Sequence, residues 1–233
     1  MTGDNVYSDH IMPTKDNSVN IKDLPEPGKP YHHGDLRSAL VESGLRLLAT
    51  RDADDLGLRE VARDVGVSAT AIYRHFPDKG ALMQALALAG VERLALAQRS
   101  ATAQAGGGKP GFLASGLAYV HFAADNPALF RLIFSCAQPD DLLEASLDTV
   151  SSAMRDLRQD IERLMPPGLP DATRTAVALH AWALVHGLAQ LLLDRQIRAN
   201  WALIERVLTG FAVLLDSPPT ALQGPAEQKA PGR

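Results

Sequence analysis

Apolar residues return at steps of three and four along nearly the whole stretch from Asp35 to Asp216, and the strict alternation of a half-buried strand is missing. That periodicity confines the chain to helices that bury their stripes against one another, so the expected fold class is all-α. Glycine and proline punctuation divides the pattern into helices expected at Asp35–Thr50, Leu58–Val65, Ala69–His75, Lys79–Ala101, Phe112–Ala124, Pro127–Phe134, Pro139–Met165, Asp171–Asp194 and Asn200–Asp216. The sharpest break is GGGKPG at 106–111, read as a seam that stops the fourth helix.

Residues 1–30 mix Asp, Asn, Ser, Lys and Pro without a sustained period and end in PEPGKP, which reads as a disordered arm with a stiff joint. Residues 217–233 read as a disordered tail. Between them, 31–78 form a small module and 79–216 a larger one. At 46% hydrophobic and 21% charged residues, the composition is that of a soluble globular protein. No uninterrupted apolar run approaches the ~18 residues of a membrane span. The N-terminal residues resemble no secretory signal. A single cysteine, Cys136, excludes an internal disulfide, and the expected location is the cytoplasm.

Leu58, Val61, Ala62 and Val65 mark one face of a short helix that Gly66 ends, since glycine suits the left-handed position past a helix terminus. Ser68 then caps a second short helix in which Ile72 and Phe76, four apart, point inward. Two short helices joined by Gly66-Val67-Ser68 form the helix-turn-helix pattern, whose second helix enters the major groove of DNA. With Ile72 and Phe76 inside, Ala69, Thr70, Tyr73, Arg74 and His75 are left outside. Thr70 and Arg74 suit base edges, and the Tyr73 hydroxyl and His75 ring suit phosphates. Lys79 opens the next helix, where a cation opposes the helix dipole at a cost of about 0.3–1 kcal/mol unless an anion such as phosphate sits beside it. Charge does not advertise this role: the net charge is −4 with a pI near 6.0, and 31–80 hold seven Lys/Arg against eight Asp/Glu.

GVSATAIYRHFPDKGAL (66–82), preceded by LREVARDVGV (58–67), resembles the DNA-binding module of the TetR family of one-component bacterial transcription regulators. Gly66, Val67, Ser68, Tyr73, His75, Phe76, Lys79 and Leu82 stand at the family's spacing. YHHGDLRSALVESGLRLL (31–48) and AWALVHGL (181–188), with Trp182, His186 and Gly187, are similar to a subgroup whose C-terminal domain carries a Trp-His-Gly signature. The resemblance implies a three-helix head, a connecting fourth helix, and a helical body whose last two helices form a four-helix bundle with a partner. It further implies a homodimeric repressor on a palindromic operator in double-stranded DNA, released by a small apolar or amphipathic effector. Ser68, Ala69, Thr70, Tyr73, Arg74, His75 and Lys79 match the family's DNA-contacting positions. Two residues depart from the pattern: Ala71 stands where many members carry Thr or Ser, and Gly57 replaces a hydroxyl cap before the second helix.

In the body, the helix at 171–194 is apolar around most of its circumference, so it needs cover on several sides. Burial against a second copy completes it, with Val185, Leu188, Leu192, Ile204, Val207 and Phe211 as the expected dimer interface. Phe112, Tyr119, Phe122, Phe130, Phe134, Met154, Trp182 and His186 are the residues expected to line an apolar ligand pocket. No cofactor is expected. His32 and His33 are adjacent and unaccompanied, and no His-x-x-x-His pair, phosphate loop or nucleophile elbow occurs, so neither a metal site nor catalysis is expected. The competing readings are a regulator of the same fold without ligand response and an all-helical enzyme built on His121, His180 or His186. Cys136, beside turn residues, reads as inert.

Overall fold

The computed structural model describes residues 36–136 and 150–216, except for the side chain of Leu214. Among these residues there are helices and no strand. In chain order they are α1 (Leu36–Leu48), a 3-10 turn (Ala53–Asp55), α2 (Leu58–Val65), α3 (Ala69–Tyr73), α4 (Lys79–Gln104), α5 (Gly108–Asp125), α6 (Pro127–Ser135), α7 (Ser152–Leu164), α8 (Asp171–Leu193) and α9 (Trp201–Asp216). The fold is all-α, with a small N-terminal helical head and a larger helical body. The arm at 1–30, residues 31–35 with the His32-His33 pair, and the tail at 217–233 lie outside the described residues.

Three of the boundaries that differ from expectation do so for a plain local reason. GGGKPG was expected to hold off the fifth helix until Phe112, yet α5 begins at Gly108. Pro110 falls in its first turn, where the missing N–H has no intrahelical partner to lose. α4 runs on to Gln104 and ends in a Schellman motif: the Gly107 N–H bonds the Thr102 carbonyl at 2.9 Å and the Gly106 N–H bonds the Ala103 carbonyl at 3.1 Å. In place of the helix expected at Pro139–Met165, α7 begins at Ser152, because Ser151 caps it by accepting the Met154 N–H at 3.3 Å. The earlier part of that expected helix, 139–149, lies outside the described residues.

The core does not respect the expected division at residue 78. One apolar cluster runs from Leu40, Leu45, Val61, Ile72 and Phe76 in the head, through Leu82, Leu86 and Leu94 of α4, to Leu129, Phe130 and Ile133 of α6. Helix α4 therefore belongs to both modules, and two glycines let it approach its neighbours closely. A Cβ at Gly44 would stand 2.7 Å from Leu86 of α4, and one at Gly90 of α4 would stand 2.7 Å from Leu129 of α6. Two smaller clusters fill the body, one joining α7, α8 and α9 around Ile161, Val177 and Leu215, the other joining α5, α8 and α9 around Val120, Ile204 and Leu208.

By length and composition alone, α4 and α8 are each apolar enough to cross a membrane, which a scan for uninterrupted apolar runs does not register. Half of the α4 segment is buried in the shared core, whereas only 22% of the α8 segment is. Helix α8 thus carries an apolar surface that its own chain leaves largely uncovered.

Candidate DNA-binding head and ligand cavity

Gly66 takes φ 79°, ψ 27°, a left-handed position that closes α2 in a second Schellman motif, with the Val67 N–H on the Ala62 carbonyl at 2.9 Å. Two residues later the Ser68 hydroxyl accepts the Ala71 N–H at 3.2 Å and starts α3. The turn therefore aims α3 using only local bonds. Ile72 and Phe76 are sealed in the core beneath it, and the Arg37 guanidinium lies 5.2 Å from the centre of the Phe76 ring.

Above that seal, Ala69, Thr70, Tyr73, Arg74 and His75 are all exposed, Tyr73 by 45%. Regular helix ends at Tyr73, two residues before the expected end, and His75 stands in the following turn with its N–H on the Ile72 carbonyl at 3.0 Å. Lys79 is not directed simply into water. Its ammonium donates to the Asp54 carbonyl in the 3-10 turn at 2.5 Å, tying the start of α4 to the α1–α2 connection. The anionic partner that a helix N-terminus favours is supplied within the chain by Asp78, whose carboxylate accepts the Ala81 N–H at 2.8 Å.

A polar clasp that the apolar pattern does not reveal holds α1 to α2. Ser43 is fully buried and donates to Asp64 at 2.6 Å, while Arg46 reaches the same carboxylate oxygen at 2.7 Å. Desolvation pushes the Asp64 carboxyl up, but the hydrogen bonds from Ser43 and Arg46 and the Arg46 charge outweigh it, leaving the group below its ordinary value. Arg51 and Glu60 pair alongside. The only sequence signal was a serine inside the Leu40–Leu48 apolar stripe.

In the body, α4, α5, α7, α8 and α9, with the end of α6, surround a cavity of about 380 Å³. Of the residues expected there, Phe112, Tyr119, Phe134, Met154 and Trp182 line it. Phe122 and Phe130 do not; they are buried in the core shared with the head. His186 stands behind the wall, with Nδ1 2.9 Å from the Tyr119 hydroxyl and its ring 4.6 Å from that of Phe134 and 5.6 Å from that of Phe130. Burial pushes the His186 imidazole below its ordinary pKa and the Tyr119 phenol well above its own, against the opposing hydrogen bond from Trp182. Sequence reasoning missed the α4 contribution and, apart from Met154, that of α7, among them Val91, Leu94, Gln98, Leu157 and Gln159. No local pattern marks them, because they meet only where distant helices converge.

The six residues expected at a dimer interface separate into three groups. Ile204 is only 2% exposed, packed by its own chain against Val120 and Leu208, with Leu188 and Leu192 half-buried beside it. Val185 and Phe211 line the cavity. Val207 is exposed, and the apolar residues that accompany it on the surface are Leu179, Leu191, Leu203 and Val213. Elsewhere, His121 stacks on Trp201 with ring centres 3.8 Å apart, and burial lowers its pKa against the raising effect of Asp125. Cys136 is half-buried and its thiol pKa is pushed up by burial, the opposite of an activated thiolate. Among the described residues, no group of three or more His, Cys, Asp or Glu is placed to hold a metal ion.

A capped recognition helix with a polar outer face, set on a three-helix head that shares its core with a helical body, defines a helix-turn-helix transcription regulator. Residues 40–86 match the family described as bacterial regulatory proteins of the tetR family, and residues 112–215 match the tetracyclin repressor-like C-terminal domain. The chain belongs to the TetR family. Solved structures agree in fold. A Rhodococcus sp. RHA1 protein of unknown function is 28% identical, with 81% of this chain and 99% of that one covered at a TM-score of 0.61. A candidate TetR-family transcriptional regulator from Rhodococcus sp. is 18% identical, with 78% and 98% covered at a TM-score of 0.52. A candidate transcriptional regulator from Pseudomonas aeruginosa PAO1 is 19% identical, with 85% and 95% covered at a TM-score of 0.52.

Proposed function

We propose that the protein is a homodimeric transcriptional repressor that binds a palindromic operator and is released when a small molecule occupies the body cavity. The observation that carries the reading is the exposed row of Thr70, Tyr73, Arg74 and His75 held above the buried Ile72 and Phe76. A helix anchored this way presents donors to one major groove, and two copies related by a two-fold axis reach half-sites about 34 Å apart. Ser68, Ala69 and Lys79 complete the DNA-facing set.

Dimerisation is supported by the α8–α9 surface. Leu179, Leu191 and Leu203 are between 43% and 49% exposed, a poor arrangement for a chain standing alone. A Cβ at Gly187 or Gly210 would meet nothing within 4 Å, so both glycines leave room for a second backbone to pack closely. We assign the interface to Leu179, Leu191, Leu203, Val207 and Val213 in place of the residues that face inward. We retain the Trp-His-Gly subgroup, the cytoplasmic location and the absence of catalytic activity as parts of this proposal.

The test is selection of bound fragments from the source genome followed by mobility-shift titration. The expected result is an inverted repeat whose affinity falls roughly 10³–10⁵-fold between 50 and 200 mM salt, for on the order of 6–10 phosphates neutralised. An affinity independent of salt, or no enrichment of any repeat, counts against the reading.

A further inference from the structure

The body cavity meets water along one seam. Its lining residues on α5, α6, α8 and α9 are all buried or half-buried, whereas Arg99 and Ala103 of α4 and Gln159 and Arg163 of α7 are exposed. Lining that is also exposed marks the mouth of a cavity, so the mouth lies between α4 and α7. The dimer surface proposed on α8 and α9 is no part of it.

The same seam is the one that the apolar clusters leave open. Helix α4 shares a cluster with the head and α6, through Leu94, Leu129 and Ile133, while α7 belongs to the cluster around Ile161, Val177 and Leu215. Among the described residues, no apolar cluster contains residues of both α4 and α7. On its other sides α4 is held closely. Gly90 brings it against Leu129 of α6, and a Cβ at Gly111 of α5 would stand 3.0 Å from the Thr102 carbonyl oxygen. Hydrogen bonds reinforce the α5 contact, from Thr102 to the Gly111 carbonyl at 3.2 Å and from Gln98 to Ser115 at 3.2 Å.

Polar ties cross from α4 to α7. The Ser152 hydroxyl donates to Glu92 at 2.8 Å, and Arg99 pairs with Asp156 at 2.8 Å. Only the second tie is built from residues that line the cavity, so that pair spans the mouth. The Arg99 and Asp156 side chains are 46% and 33% exposed. Charges placed this way regain water when they part, so separating them costs little. Parting α4 from α5 or α6 would instead expose packed apolar surface.

We propose that the α4–α7 seam is the entrance to the cavity and that the Arg99–Asp156 ion pair is its latch. A ligand passes when the two side chains part, with the apolar clusters left intact. This rests on reading the cavity as an effector site and adds the route by which the effector reaches it. The latch holds the closed form equally with the cavity empty or filled, so it sets how fast a ligand enters and leaves and has no effect on how tightly it is held.

Stopped-flow fluorescence with the uncharged dye N-phenyl-1-naphthylamine on the full-length protein tests it. Asp156→Arg and Arg99→Asp each set like charges across the mouth. Each should raise the entry and exit rate constants by the same factor, about two- to fivefold, with Kd unchanged. The double variant, Arg99→Asp with Asp156→Arg, restores an opposite pair and should return both rates to near the native values. Raising salt from about 50 to about 500 mM should speed entry and exit in the native protein, because exposed charges are screened. Native rates in both single variants overturn the latch while the effector reading stands. So does a change confined to the exit rate, which would make these side chains ligand contacts, and so does a double variant as fast as the single ones. If the variants fail to fold, the salt series decides on the native protein, and equal rates at the two salt concentrations overturn the latch. Failure of the native protein to bind the dye overturns both readings.

Discussion

Replacing Ser68 with alanine removes one hydrogen bond, from the Ala71 N–H to the serine hydroxyl at 3.2 Å, and leaves every apolar contact of α3 in place. Helix α3 has only five residues, too few to hold itself together, so the cap and the two anchors Ile72 and Phe76 supply its order. Losing an N-cap hydroxyl costs about 1 kcal/mol, within a range of about 0.5–2. For a chain of this size, about 1 kcal/mol lowers the melting temperature by roughly 2–4 °C. Because DNA binds the ordered helix, the same energy weakens each head by about fivefold and a dimer by about 25-fold. The assays are circular-dichroism melting and fluorescence-anisotropy titration of a labelled operator. Three substitutions separate capping from direct contact. Ser68→Thr keeps the hydroxyl and should remain near the native values. Ser68→Gly should lose only a few tenths of a kcal/mol, since glycine is itself an acceptable cap, and Ser68→Ala should lose the full amount. Equal loss of affinity in Gly and Ala variants with unchanged melting would refute the capping argument and make the hydroxyl a phosphate contact instead.

Tyr73→Ala should weaken binding to every DNA sequence alike with the dimer intact, and Lys79→Ala should also lower head stability because its Asp54 carbonyl bond is lost; mobility shift and melting read the two effects separately. Thr70→Ala and Arg74→Ala should instead change sequence preference, by about 1–3 kcal/mol at the affected base pair in a binding-site selection. Val207→Glu should convert the dimer to monomers in sedimentation equilibrium. Ile204→Ala should leave the dimer intact but lower stability by about 2–5 kcal/mol, because Ile204 packs inside its own chain. His121 and His186 both have folded pKa values pushed down by burial. The unfolded chain then takes up protons first, so stability is fully present above about pH 6.5 and falls as the pH drops from there toward the lowered values. Melting temperatures between pH 8 and pH 5 should show a plateau followed by a decline, flattened in a His186→Asn variant.

What the sequence determined by itself is whatever local bonds decide. Gly66 and Ser68 stop one helix and start the next through bonds no more than five residues apart, so the α2–α3 turn, the inward Ile72 and Phe76, and the exposed row on α3 were all legible. Where the same local chemistry was misjudged, at Pro110 and Ser151, helix boundaries moved while the helices themselves remained. The tertiary structure decided everything that depends on which side of a helix meets which neighbour. Helices α8 and α9 carry apolar residues nearly all round, and no period within them could tell that Ile204 faces inward and Leu203, beside it, faces out. The cavity has the same origin. Its wall draws on six helices, and Phe122 and Phe130, which share the composition of pocket residues, were claimed instead by the core around α6. The Tyr119–His186 pair spans 67 positions, and a bond of that separation is set by how α5 and α8 pack, since spacing along the chain carries no signal of it.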